Sequence, residues 1–91
     1  MRPSRLLFAL LASVIASAAS AANRPAGYIT ICNEGKTCSV AASTVVAYGR
    51  ADKFTLKTLS GNFVCGEITF GSGTKVAGGT NECSIPSGAA T

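Results

Sequence analysis

The stretch Lys53-Phe54-Thr55-Leu56-Lys57-Thr58 alternates apolar and polar residues without a break. Successive side chains of a strand point to opposite faces, so Phe54 and Leu56 share one side and Lys53, Thr55 and Lys57 the other. The expectation is a strand with Phe54 and Leu56 on a core and the polar set in water. Just upstream, Val45-Val46-Ala47-Tyr48 is a second β-branched and aromatic run, stopped by Gly49. Further back, Tyr28-Ile29-Thr30-Ile31-Cys32 is a third, followed by turn chemistry in Asn33-Glu34-Gly35-Lys36. Downstream, Ser60-Gly61-Asn62 reads as a turn and Phe63-Val64-Cys65 resumes the strand, with Ile68 and Phe70 alternating against Glu67 and Thr69. Gly71-Ser72-Gly73 and Gly78-Gly79 punctuate the remainder.

No segment after residue 21 has helical periodicity with caps. Six or seven short strands, with turns about every 8 to 12 residues, predict an all-β fold: a small disulfide-stapled β-sandwich or Greek-key barrel. A single core is expected to hold Tyr28, Ile31, Val46, Phe54, Leu56, Phe63, Val64, Ile68 and Phe70. That is enough for one domain. The small polar stretches Asn23 to Gly27 and Ser87 to Thr91 predict frayed ends.

The first 21 residues read as a cleaved signal peptide, and residues 22 to 91 as the secreted domain. Met1, Arg2 and Arg5 form a cationic start, and the apolar run from Leu6 to Ile15 follows. Such a run is about half the length that spans a bilayer, so no transmembrane anchor is expected. Ala19 and Ala21 fit the A-x-A cleavage pattern, placing the cut after Ala21, with cuts after Ala18 or Ala22 as alternatives. The implied destination is the periplasm or the cell exterior.

An exported chain with Cys32, Cys38, Cys65 and Cys83 implies two disulfides. Four cysteines allow three connectivities, and spacing favours Cys32 with Cys38 and Cys65 with Cys83. Those closures contribute about 2.4 and 3.2 kcal/mol in the loop-entropy account, a large share of a small domain's stability. No metal or other cofactor is expected: the chain has no His, and neither cysteine pair has the C-x2-C spacing that suits zinc.

From residue 22 onward six bases face four acids, leaving +2, too weak and dispersed a charge for nucleic acid. Catalysis has no His to act as a general base. Ser72-Gly73-Thr74-Lys75 spells S-x-x-K, but in a glycine-rich turn of a very small domain. Asp52, Glu67 and Glu82 lack the bulk around them to build a glycosidase cleft. The expectation is a non-enzyme.

Val46-Ala47-Tyr48-Gly49, Lys53-Phe54, Gly61, Cys65, Phe70-Gly71 and Cys83 together resemble a small cysteine-containing extracellular β-domain, found alone or appended to secreted microbial carbohydrate-active enzymes. The resemblance covers most of residues 32 to 85 and suits the pairing of Cys65 with Cys83. Ser72-Gly73 stands where that family has Asp-Pro, and Asn81 where it has Lys, and no family site carries over. The loop from Asn33 to Cys38 is also similar to the calcium loop of the βγ-crystallin Greek key, matching at Asn33 and Thr37 and departing at Glu34 and Cys38. It offers fewer oxygens than calcium takes.

Binding remains, and its most legible surface is Tyr48, Arg50, Asp52, Lys53 and Lys57. A Tyr ring stacks on sugar C–H groups while Arg and Asp hydrogen-bond hydroxyls, so a glycan or a cell-surface polyanion is the expected partner. The alternative is a secreted interaction protein, an inhibitor or toxin-like effector, that docks on a protein. The plainer account of the same residues is a solvated strand face, with Lys guarding an edge and Tyr48 in the core.

Overall fold

A computed structural model describes residues 22 to 89. The fold is mostly β: strands β1 (Tyr28–Asn33), β2 (Thr37–Arg50), β3 (Lys53–Val64) and β4 (Glu82–Pro86), with one helical turn, α1 (Glu67–Phe70), and a 3-10 turn at Ser87–Ala89. The strands form one antiparallel sheet in the order β1-β4-β2-β3. Four strands replace the six or seven expected because β2 and β3 are long and unbroken.

The residues read as a turn at Ser60-Gly61-Asn62 lie inside β3. Gly61 pairs with Val40 and Asn62 with Ser39, and the register slips between Val40 and Thr44. Their turn chemistry is spent on a bulge instead: Ser43 and Gly61 have positive φ, and the Ser43 N–H donates to Ser60 Oγ at 2.9 Å. A second correction concerns Ile68 to Phe70, which form α1 rather than a strand. Thr69 and Phe70 both donate their N–H to the Gly66 carbonyl, so the backbone turns as soon as Cys65 is passed.

The core lies on one face of the sheet, built from Cys38, Val46, Tyr48, Phe63, Cys65, Phe70, Cys83 and Ile85. Phe70 reaches back from α1 to stack on Tyr48, with ring centroids 5.0 Å apart, and meets Phe63 edge-on at 6.3 Å. Both geometries suit aromatic quadrupoles. Five residues expected in the core are outside it: Leu56 is 57% exposed, Ile68 85% and Val64 38%, and the half-buried Tyr28 and Phe54 do not join the cluster.

Leu56 shows why. Directly opposed residues of an antiparallel pair share a face. Tyr48 pairs with Thr55, Val46 with Lys57 and Arg50 with Lys53. The polar set of the alternation therefore lies on the core side, and Leu56 faces outward. β3 is an edge strand, so long polar side chains there lay their stems on the core margin and reach polar partners at its rim.

Disulfides join Cys32 to Cys38 and Cys65 to Cys83, with Cα separations of 6.3 and 5.9 Å. The first ties the two ends of the turn between β1 and β2, and the second ties the start of the covering segment to β4. The stretch expected to be loose, Asn23 to Gly27, is tied down: Arg24 donates to Thr30 Oγ1 and to Glu82, and Gly27 accepts from the Ser87 N–H. Among the described residues no helix is long and apolar enough to cross a membrane.

Candidate functional site

The sheet order places the five residues singled out in the sequence at the β2–β3 end of the molecule, in quite different roles. Tyr48 is 1% exposed, and burial pushes its phenol above the usual range. It offers no free ring to a sugar. Arg50 is half-buried and donates to the Ala77 carbonyl at 2.9 Å, its guanidinium lying against Gly78 and Gly79. A Cβ at Gly78 would press on that guanidinium, so the Gly78-Gly79 pair serves as its seat. Lys57 donates to the Thr69 carbonyl at 2.8 Å. Asp52 sits at the hairpin tip and accepts from the Ala22 N–H.

Lys53 and Lys57 are both exposed, and Lys53 is the one whose ammonium has no hydrogen-bond partner among the described residues. It stands opposite Arg50, and Lys57 lies four residues along β3, about 13 Å away at strand rise. The two ion pairs among the described residues are Arg24 with Glu82 and Lys75 with Glu34. Arg50, Lys53 and Lys57 therefore have no carboxylate partner among the described residues.

Between Lys53-Phe54-Thr55 and the loop Ser72 to Ala77 opens a cleft of about 460 Å³. Lys53, Phe54 and Thr55 of β3 line one side and loop residues 72 to 77 the other, so hydroxyl-bearing residues (Thr55, Ser72, Thr74) and two lysines (Lys53, Lys75) share the lining with Phe54, Val76 and Ala77. The loop is fixed from inside. Glu67 Oε2 accepts the Gly73 and Lys75 N–H groups at 2.8 and 3.1 Å, and Thr74 Oγ1 donates to the Gly71 carbonyl at 2.6 Å. Loop and strand thus form a preset, polar, cation-edged groove beside the hairpin.

The organiser of this region is Asn81, which the sequence did not single out as functional. It is fully buried and fully bonded. Its Oδ1 accepts the Val76 N–H, its Nδ2 donates to the Val76 carbonyl and to Glu34 Oε1, and its own N–H donates to Glu34 Oε1 at 2.7 Å. Glu34 in turn pairs with Lys75 at 3.1 Å. The Asn81 backbone N–H, ahead of Lys75, holds the Glu34 carboxyl below its ordinary range, against a burial that pushes it up. The pair also raises Lys75. A lone Asn after Gly-Gly-Thr carries no signal in sequence; only closure of the loop upon it reveals the role.

Other sequence motifs are absorbed by the same framework. In S-x-x-K, Lys75 is directed to Glu34, with its N–H on Glu67. Glu34 of the calcium-like loop is held by Asn81, and the Asn33 carbonyl accepts from the Lys36 N–H. Asp52, Glu67 and Glu82 each serve a different structural bond: Ala22, the loop amides, and Thr30 with Arg24. The Sγ atoms of Cys32, Cys65 and Cys83 lie within 4.8 Å of one another, but all three are in disulfides and offer no thiolate to a metal.

Compared with known proteins, the chain matches no family, no curated protein and no solved structure.

Proposed function

We propose that this is an exported, non-catalytic binding protein that takes an acidic glycan, or another anionic polymer of a cell surface, along the cleft between β3 and the Ser72 to Ala77 loop. The observation that carries the reading is Lys53: an exposed cation without a carboxylate partner among the described residues, in the lining of a cleft that also includes Thr55, Ser72 and Thr74. Hydroxyls and amides suit a sugar, and the ammonium suits its carboxylate or sulfate. Two disulfides in so small a domain fit an oxidising compartment, which supports export to the periplasm or exterior after removal of residues 1 to 21.

Retention on an immobilised acidic polysaccharide tests it. Lys53→Glu should reduce retention at least several-fold and leave the melting temperature unchanged, and the parent's retention should fall as salt rises. Equal retention of Lys53→Glu and parent would overturn the reading.

A protein partner is favoured by one separate observation. Ile68 is 85% exposed on a helical turn made rigid by the Phe70 stack and the Cys65 disulfide, a tip suited to insertion into an apolar pocket. Loss of a partner on Ile68→Ser, with glycan retention intact, would select this second reading.

A further inference from the structure

The β2–β3 hairpin closes through a two-residue turn, Ala51-Asp52, between the paired Arg50 and Lys53. Both turn residues have positive φ, 52° and 64°. That is the geometry of a type I′ turn, which Gly and Asn adopt easily and Ala does not. The tip is not left alone in this conformation. Ala22 and Asn23 cover it with three hydrogen bonds: Asp52 N–H to the Ala22 carbonyl at 2.7 Å, Ala22 N–H to Asp52 Oδ1 at 2.9 Å, and Ala51 N–H to Asn23 Oδ1 at 3.3 Å.

The nitrogen facing the Asp52 carboxylate is that of Ala22, the residue that follows the A-x-A pattern of Ala19 and Ala21. In an uncut chain this nitrogen is a neutral amide with one hydrogen. Hydrolysis of the Ala21–Ala22 bond by a signal peptidase consumes one water, leaves a carboxylate on Ala21 and frees an amine on Ala22 that is protonated at neutral pH. We propose that the chain is cut at this bond, and that the α-ammonium so created pairs with Asp52, so that removal of the leader completes the hairpin tip. The proposal rests on the reading of residues 1 to 21 as a removed leader.

The position is exacting. A cut after Ala22 would discard both Ala22 bonds, and a cut after Ala18 would set the new charge three residues from Asp52, up to about 10 Å along an extended chain. The charged residues next to the turn in sequence are cations, and Glu82, paired opposite Gly49, is taken by Arg24 and Thr30. Arg50 and Lys53 flank the turn, Arg50 being taken by Ala77; Arg24, two residues beyond Ala22, is taken by Thr30 and Glu82. Asp52 is the acid that the turn itself supplies.

The full chain and its Asp52→Asn variant, expressed in an exporting bacterial host, provide the test by intact mass and thermal unfolding. The exported parent should have the mass of residues 22 to 91. An uncut product would overturn the leader reading and this inference with it; a cut at Ala18 or Ala22 would overturn this inference alone. Asparagine keeps an acceptor for an amide but not the charge. Asp52→Asn should therefore lower the melting temperature by about 2 to 5 °C at pH 6.5. A free α-amine loses its proton near pH 8, and one paired with a carboxylate keeps it higher. Its stabilisation is full below that range and lost above it, so the difference between the two proteins should vanish by about pH 10. An equal difference at both pH values would show Asp52 acting only as an amide acceptor and would overturn the ion pair.

Discussion

The β2–β3 hairpin and the segment from Cys65 to Asn81 lie against each other, yet they are held by different forces. The hairpin is zipped in register from Arg50 with Lys53 back to Thr37 with Val64, interrupted only by the bulge at Ala41 to Ser43. The covering segment joins no ladder. It hangs from a disulfide at Cys65, an aromatic stack at Phe70, the Lys57 and Arg50 side chains on the Thr69 and Ala77 carbonyls, and Asn81 with Glu34 at its far end. A ladder spreads its stability over many equivalent bonds, so one side chain matters little. A loop fixed at a few points concentrates stability there, and each point becomes sensitive.

That contrast can be broken by mutation, beginning where the effect is largest. Replacing Cys65 and Cys83 together by Ser removes the covalent tether and puts two hydroxyls in a fully buried place. The expected loss is about 3 to 5 kcal/mol in urea unfolding, enough to leave the protein largely unfolded. A loss below 1 kcal/mol would mean that the segment does not depend on its anchor.

Asn81→Ala comes next. It strands the Val76 N–H and carbonyl and deprives Glu34 of a donor. About 2 to 3 kcal/mol should be lost, with Val76 amide exchange accelerating more than amides of β2.

Glu34→Gln sharpens the comparison through pH. Because the folded carboxyl titrates below its ordinary 4.5, its contribution is present above that value and is lost as pH falls through the folded value. Glutamine keeps the acceptor, so the cost at pH 7 should be about 1 kcal/mol. Unfolding of the parent followed from pH 6 down to pH 2 should show a decline that the variant partly lacks; parallel curves would remove Glu34 from the acid response.

The smallest effect belongs to the hairpin's outer face. Leu56→Thr replaces an exposed apolar group on a strand with a good strand former and should change stability by less than about 0.5 kcal/mol. A loss above 1 kcal/mol would indicate that something covers Leu56.

The same division explains what could be read in advance. Period-two alternation in Lys53 to Thr58 identified a strand and correctly grouped its side chains into two sets. It could not say which set faces the core, because that depends on where a distant segment lies. Cysteine spacing pointed to both bridges, since a six-residue separation around turn chemistry leaves few alternatives. Ser60-Gly61-Asn62 misled because a bulge and a turn draw on the same residues. For the site, the sequence left Tyr48 open between a free ring and a place in the core and took Arg50 for a free donor; the structure stacks Tyr48 on Phe70 and binds Arg50 to Ala77, contacts that no local pattern encodes.

The crowding of Cys32, Cys65 and Cys83 sulfurs within 4.8 Å has a consequence for how the protein meets a reductant. Cys65 and Cys83 are sealed from solvent, whereas Cys32 is only half-buried, so attack begins at the bridge to Cys38. A thiol that attacks Cys32 expels the Cys38 thiolate and leaves a mixed disulfide on Cys32; a second thiol then frees Cys32 beside the sealed pair, opposite Cys83 across β1 and β4. Thiolate and disulfide then exchange within the molecule without further help from outside. Reduction at the surface is thereby expected to be relayed inward, giving covalent isomers in place of one cleanly opened loop; mapping the bridges after partial reduction checks this, and an intact Cys65–Cys83 bridge beside free Cys32 and Cys38 would refute it.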